Sequence, residues 1–255
     1  MEAVNNQIRE LVIELQSLAF APGFGLAGGT NLAIRFNHRL SDDIDLFSDK
    51  LIGKEGFQKI KAILENKYLQ ELKFCDIINE ESGNQYCFLR ALIHKGGLNI
   101  KVEFIQNIYR LFEIEMLNGV NVLSVEDIGV MKLMSVSSRK ANKDVYDLDL
   151  ITDKINLEVI WGLLETKRKA TEAAAHKCLF DLDDDPNPLD DMSLLLKFDD
   201  TNYSALPQRP SHSTDRLLLL PSSKKWVLAR ASWKRKVRDL MRNKGIKPPK
   251  IKPIN

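Results

Sequence analysis

Two glycines and three carboxylates are the residues of this chain whose spacing could do chemistry. In Asp42-Asp43-Ile44-Asp45-Leu46-Phe47 the acids Asp43 and Asp45 alternate with apolar Ile44 and Leu46. Alternation marks a strand with one buried face, so both carboxylates project from the same side, roughly 6.5–7 Å apart. Neighbouring acids repel and lose hydration unless a cation lies between them. Magnesium takes oxygen ligands and is commonly shared with substrate phosphates, which makes it the expected occupant. Upstream, Gly28-Gly29-Thr30 opens a run with apolar Leu32, Ala33, Ile34 and Phe36, a short helix starting near Gly29 or Thr30. A backbone without Cβ atoms can approach a phosphate closely, and the free N–H groups of a helix start favour an anion. Downstream, Leu98–Ile105 alternates again, with Ile100, Val102 and Phe104 on one face and Lys101, Glu103 and Ile105 on the other. A third carboxylate on a neighbouring strand is what a two-metal site requires. The alternative is a solvated Lys/Glu strand face.

A phosphate cradle followed by a same-face Asp pair points to metal-dependent phosphoryl or nucleotidyl transfer. Each half alone is common in ordinary turns and strand ends; thirteen residues separate Gly29 from Asp43, and together they are far more specific. The pairing resembles the polymerase-β-like nucleotidyltransferase signature. GGTNLAIRFNHRLSDDIDLF further resembles the first motif of the AbiEii/AbiGii toxin family of nucleotidyltransferases. Lys101 and Glu103 match that family's second motif by position, with Glu where Asp is usual. LSVEDIGVMKLMSVSSRKANKDVYDLDLI resembles its third and fourth motifs, and the likeness covers about residues 24–165.

The resemblance implies a nucleotidyltransferase that moves NMP from an NTP to a hydroxyl acceptor, with RNA or tRNA as the acceptor. It implies a toxin of a bacterial toxin–antitoxin or phage-defence pair, with a separately encoded antitoxin. Asp43, Asp45 and Glu103 become ligands of two Mg2+ ions. Gly28, Gly29 and Thr30 become holders of the outer phosphates. Lys132 becomes a stabiliser of the triphosphate, with Asp144 orienting it or the nucleophile. Arg139 and Asp147 are expected to join two helices, and His38 and Arg39 to shape a turn. Two other readings stay open: an RNA-binding protein on a nucleotidyltransferase scaffold with weak or lost catalysis, and a metal-dependent nuclease, which would not need the glycine cradle.

The elements that position these residues follow from periodicity. Helices are expected over 3–19, 55–68, 124–138, 143–151, 155–178 and 222–243, and strands over 42–47, 71–78, 85–94 and 98–105. Ser124 reads as an N-cap with Asp127 as its reciprocal acceptor. Asp181–Asp200, with Asp183-Asp184-Asp185 at its centre, reads as a solvated acidic loop, and Pro207–Ser213 as a linker. The fold class is therefore α/β: a nucleotidyltransferase-type mixed sheet flanked by helices over 1–118, a helical domain over 119–206 and a basic C-terminal extension over 207–255.

Composition agrees with a soluble globular chain: 255 residues, 44% hydrophobic and 28% charged. No apolar run approaches the ~20 residues of a membrane span. The polar start MEAVNNQIRE does not read as a signal peptide, and Cys75, Cys87 and Cys178 lack metal-ligand spacing, so a reducing cytoplasm is expected. The net charge of +2 hides an asymmetry: residues 208–255 carry fourteen Lys/Arg against two Asp/Glu, leaving −10 on the rest. A basic tail on an acidic body suggests either nucleic acid or an internal electrostatic dock.

Overall fold

The computed structural model describes residues 2–21, 23–139, 141–181, 186–200 and 217–250. The Asp183-Asp184-Asp185 stretch and the Pro207–Ser213 linker lie outside the described residues. The chain forms two compact units. The first holds the described residues of Met1–Ile128, Thr166–Asp184 and Leu220–Ser222; the second holds those of Gly129–Glu165, Asp185–Leu219 and Ser223–Asn255.

The first unit is a seven-stranded mixed sheet with helices. In chain order it contains α1 (Asn6–Gln16), β1 (Phe24–Leu26), α2 (Gly28–Phe36), β2 (Ile44–Ser48) and α3 (Gly53–Tyr68). There follow β3 (Leu72–Ile78), β4 (Phe88–Lys95), β5 (Leu98–Ile105), β6 (Glu115–Leu117) and β7 (Val120–Val122). The strand order is β3-β4-β5-β2-β1-β7-β6. β2 runs parallel to β5, and β1 parallel to β7; the other neighbours are antiparallel.

Alternation decides which face is core. Ile44 and Leu46, Ile100, Val102 and Phe104, and Leu89, Ala91 and Ile93 join one cluster with Ile8, Leu11, Val12 and Leu15 of α1 and Phe57, Ile60 and Leu64 of α3. Fully burying such side chains contributes about 1.5–3 kcal/mol each, which pins the strand registers. The residues between them, Asp45, Arg90, Lys101 and Glu103, must therefore share the opposite face of the sheet.

The second unit is helical. It contains most of α4 (Val125–Ser138), α5 (Asn142–Thr152), most of α6 (Leu157–Ala170) and α7 (Trp226–Asn243). α4 begins as its sequence requires: the Asp127 backbone N–H donates to Ser124 Oγ at 3.0 Å, and Ser124 Oγ lies 3.0 Å from Asp127 Oδ2. α6 ends at Ala170 rather than near 178, because apolar spacing lapses after Lys167; 3-10 turns follow at Ala174–His176 and Leu179–Asp181. The back half of the expected acidic loop is instead a 3-10 helix, Met192–Asp200, that buries Met192, Leu194, Leu195 and Phe198.

α7 buries Ala229, Trp233, Val237, Leu240 and Met241 along one side. Trp233 Nε1 donates to the Leu195 carbonyl at 3.0 Å, so the tail helix is part of this unit's core. Two of its neighbouring cations face the acids of α5. Lys236 donates to Asp149 Oδ1 at 2.8 Å and Asp153 Oδ1 at 2.6 Å, and Lys224 pairs with Asp149 and Asp153. Among the described residues no helix is long and apolar enough to cross a membrane.

Candidate active site

The glycine stretch and the Asp pair meet at the junction of β1, α2 and β2. Ala27 is the extended residue before α2, and its N–H donates to the Asp45 carbonyl at 2.7 Å. Gly28 then turns the chain with φ 64°, a conformation that side chains disfavour. A Cβ built at Gly28 would lie 2.2 Å from Asp45 Oδ2, and one at Gly29 would lie 2.2 Å from an Arg39 guanidinium nitrogen. The glycines are thus required on both sides: one admits a carboxylate against the helix start, the other admits the buried Arg39. Thr30 is buried, its hydroxyl 2.9 Å from Ser41 Oγ and donating to the Asp43 carbonyl. Asn31 Nδ2 donates to Leu26 O at 2.7 Å and Leu123 O at 2.9 Å, tying α2 to the residues ending β1 and following β7.

Sheet register supplies the third carboxylate. Asp45 is paired with Glu103 across the parallel β2–β5 ladder, and Glu103 with Arg90 across the antiparallel β4–β5 ladder. Glu103 is 8% exposed and has both oxygens engaged: Oε1 by Arg90 Nε at 2.7 Å, Oε2 by Lys101 Nζ at 3.3 Å. Lys101 Nζ also lies 3.7 Å from Asp43 Oδ2. Burial works against the Lys101 charge, but Asp45, Glu103 and Asp43 outweigh it and hold its pKa above the usual lysine value. Arg90 escaped the sequence reading; its place on the polar face of an alternating strand was the available signal.

Lys132 and Asp144 belong to the second unit, where they form a buried charge cluster between α4 and α5. Lys132 Nζ lies 2.5 Å from Asp144 Oδ1 and 2.8 Å from Asp147 Oδ2. Arg139 grips Asp144 with Nε to Oδ2 at 2.6 Å and a second nitrogen to Oδ1 at 2.9 Å. Burial raises the Asp144 pKa, but Arg139 and Lys132 prevail and hold it at about 2.

The fit of this donor set to magnesium divides by residue. Asp43 and Asp45 suit a hard divalent ion by chemistry: one carboxylate just before β2 and one on it, with the Asp45 oxygen seated where only a glycine leaves room. Glu103 is adjacent in register but already held by two cations. Among the described residues no group of three or more His, Cys, Asp and Glu side chains is arranged to hold a metal ion.

A mixed sheet with a glycine-led helix facing acids on two parallel strands defines a nucleotidyltransferase. Among solved structures the chain is similar to MenT4, a nucleotidyltransferase toxin from Mycobacterium tuberculosis. The TM-score is 0.52 at 16% identity, over 91% of this chain and 79% of that one, which is a likeness of fold. It is 28% identical over 171 residues to an uncharacterized protein of Aquifex aeolicus (strain VF5), covering 66% of this chain and 74% of that protein. The profile of the family described as "Nucleotidyl transferase AbiEii toxin, Type IV TA system" matches residues 11–244. The chain belongs to that family of nucleotidyltransferase toxins.

Proposed function

We propose that the protein transfers a nucleoside monophosphate from a nucleoside triphosphate to a hydroxyl of an RNA acceptor, tRNA included. We place this in the cytoplasm, in the role of a growth-arresting toxin with a separately encoded antitoxin. The observation that carries the reading is the Asp45 carboxylate packed on Gly28 at the start of α2, in register with Glu103. In this reading the acceptor oxygen bonds to the α-phosphorus and the bond to pyrophosphate breaks. The first N–H groups of α2, at Gly28, Gly29 and Thr30, receive the outer phosphates. Asp43 and Asp45, joined by Glu103, would hold magnesium, which supplies charge neutralisation on the phosphates and a more acidic acceptor hydroxyl.

The test is incubation with each α-labelled triphosphate, magnesium and total RNA. Label in RNA that vanishes in Asp43→Ala and Asp45→Ala supports transfer. A doubly substituted protein that remains fully toxic would remove the enzymatic reading. The hold of Arg90 and Lys101 on Glu103 favours one second reading, an RNA-binding protein with weak catalysis. It requires RNA retention without label.

A further inference from the structure

Phe180 is half exposed, yet its position is fixed. Its ring lies 5.9 Å from that of Phe47 at an interplanar angle of 50°, and the residue is 51% exposed. The turns before and around it, Ala174–His176 and Leu179–Asp181, are tied to the end of β5. Asn107 Nδ2, just past that strand, donates to the Ala175 carbonyl at 3.2 Å and the Lys177 carbonyl at 2.7 Å. Asn107 holds a φ of 56°, a left-handed conformation that asparagine tolerates better than most residues. Tyr109 meets His176 with ring centroids 5.9 Å apart, and the Cys178 N–H donates to Asp181 Oδ2 at 2.9 Å. An anchored aromatic ring that keeps half its surface in water forgoes stabilisation that a flat apolar ligand would recover.

The place of Phe180 along β2 indicates the ligand. Ile44 and Leu46 enter the core, so Asp45 and Phe47 share the opposite face of the strand, roughly 6.5–7 Å apart. β1 runs antiparallel to β2 with Gly25 opposite Phe47, so the step from Asp45 to Phe47 leads away from Gly28. Along the strand the order is therefore the start of α2 against Asp45, then Phe47, with the Phe180 ring upon it. A nucleoside triphosphate has the same order: outer phosphates, α-phosphate, ribose, base. We propose that Phe180, seated on Phe47, is the stacking shelf for the base of the nucleoside triphosphate. The inference rests on the reading that the first N–H groups of α2 receive the outer phosphates. Every base has a π-face, so an aromatic shelf adds affinity for all of them and leaves the choice among them to other contacts.

The test measures binding to the full chain by calorimetry, in magnesium and without RNA. The probes are the common nucleoside triphosphates and tripolyphosphate, which has the phosphates but no base. Phe180→Ala should weaken the best-bound triphosphate at least ~5-fold, the low end of a lost base–aromatic stack, and leave tripolyphosphate within about 2-fold of wild type. Phe180→Leu keeps an apolar contact with Phe47 and should lose the same increment, so it gives the answer if Phe180→Ala does not fold. Phe180→Trp, which keeps an aromatic face, should bind triphosphate at least as tightly as wild type. Unchanged triphosphate affinity in Phe180→Leu, or an equal loss for triphosphate and tripolyphosphate, overturns the proposal. So does a variant that spares triphosphate binding but weakens RNA retention, which would give the shelf to a base of the acceptor. RNA labelling by wild type is scored separately. Triphosphate binding that depends on Phe180 without label in RNA keeps the shelf and removes the transfer; label in RNA with triphosphate affinity indifferent to Phe180 does the reverse.

Discussion

Lys132→Met should unfold the helical unit at markedly lower temperature, and the size follows from the charges around it. Asp144 and Asp147 are both 0% exposed, and Lys132 is 6% exposed. Lys132 lies between Asp144 and Asp147, and Arg139 also holds Asp144. Methionine keeps the apolar stem but takes the ammonium away from both buried carboxylates. Breaking a buried pair from one side costs about 3–5 kcal/mol. For a chain of this size that corresponds to a fall in Tm of roughly 6–20 °C. The cost depends on pH in a definite direction. Asp144 titrates at about 2 in the folded protein, below its ordinary 3.8, so its stabilisation is complete above the ordinary value. It is lost as pH falls through that value toward 2. With Lys132 gone Asp144 loses one of the two cations that hold its pKa down, so the gap between variant and wild type should narrow as pH falls from 7.5 toward 4. Adding Asp147→Asn removes one of the two carboxylates that Lys132 contacts and should recover part of the lost Tm. Circular dichroism melts of the three proteins at several pH values, with RNA labelling in parallel, make the assay. A Tm for Lys132→Met within ~2 °C of wild type at pH 7.5 would refute the argument.

Three further outcomes are expected. Gly28→Ala would set a Cβ 2.2 Å from Asp45 Oδ2 at a φ of 64°, so the carboxylate must move; transfer to RNA should fall ~10²-fold or more, the scale of a 1 Å misplacement. Trp233→Ala empties a fully buried site and removes the bond to Leu195 O, costing about 3–5 kcal/mol, so a chain truncated before α7 should show a non-cooperative melt of its second unit. Arg235 is exposed and Arg238 half-buried on α7. Replacing both by Ala should make the log-affinity against log-salt slope on single-stranded RNA shallower by about 1.4, at about 0.7 per phosphate contact, and an unchanged slope would place the RNA elsewhere.

Much of the candidate site's framework was legible in the chain. Gly28-Gly29, Asp45 and the alternation of Leu98–Ile105 are local patterns, and each sits on the element that its periodicity predicts, whereas Asp43, expected within a strand over 42–47, precedes β2. The same is true of the Ser124 cap and of the apolar side of α7, because caps and helix faces are set by residues three or four apart. β1, β6 and β7 left no readable trace: at three residues each they are too short for alternation to show. Tertiary structure alone decided what stands beside what. That Asp45 is paired with Glu103 depends on strand order and register across segments dozens of residues apart, and Glu103 meets Arg90 through the register of the β4–β5 hairpin. The basic tail shows the same division. Composition established that residues 208–255 are strongly cationic, but only packing decided which cations are occupied internally. Lys224 and Lys236 meet Asp149 and Asp153 because α7 packs against α5. Charge composition is a property of the chain, whereas the partner of each charge depends on which surfaces the apolar residues bring together.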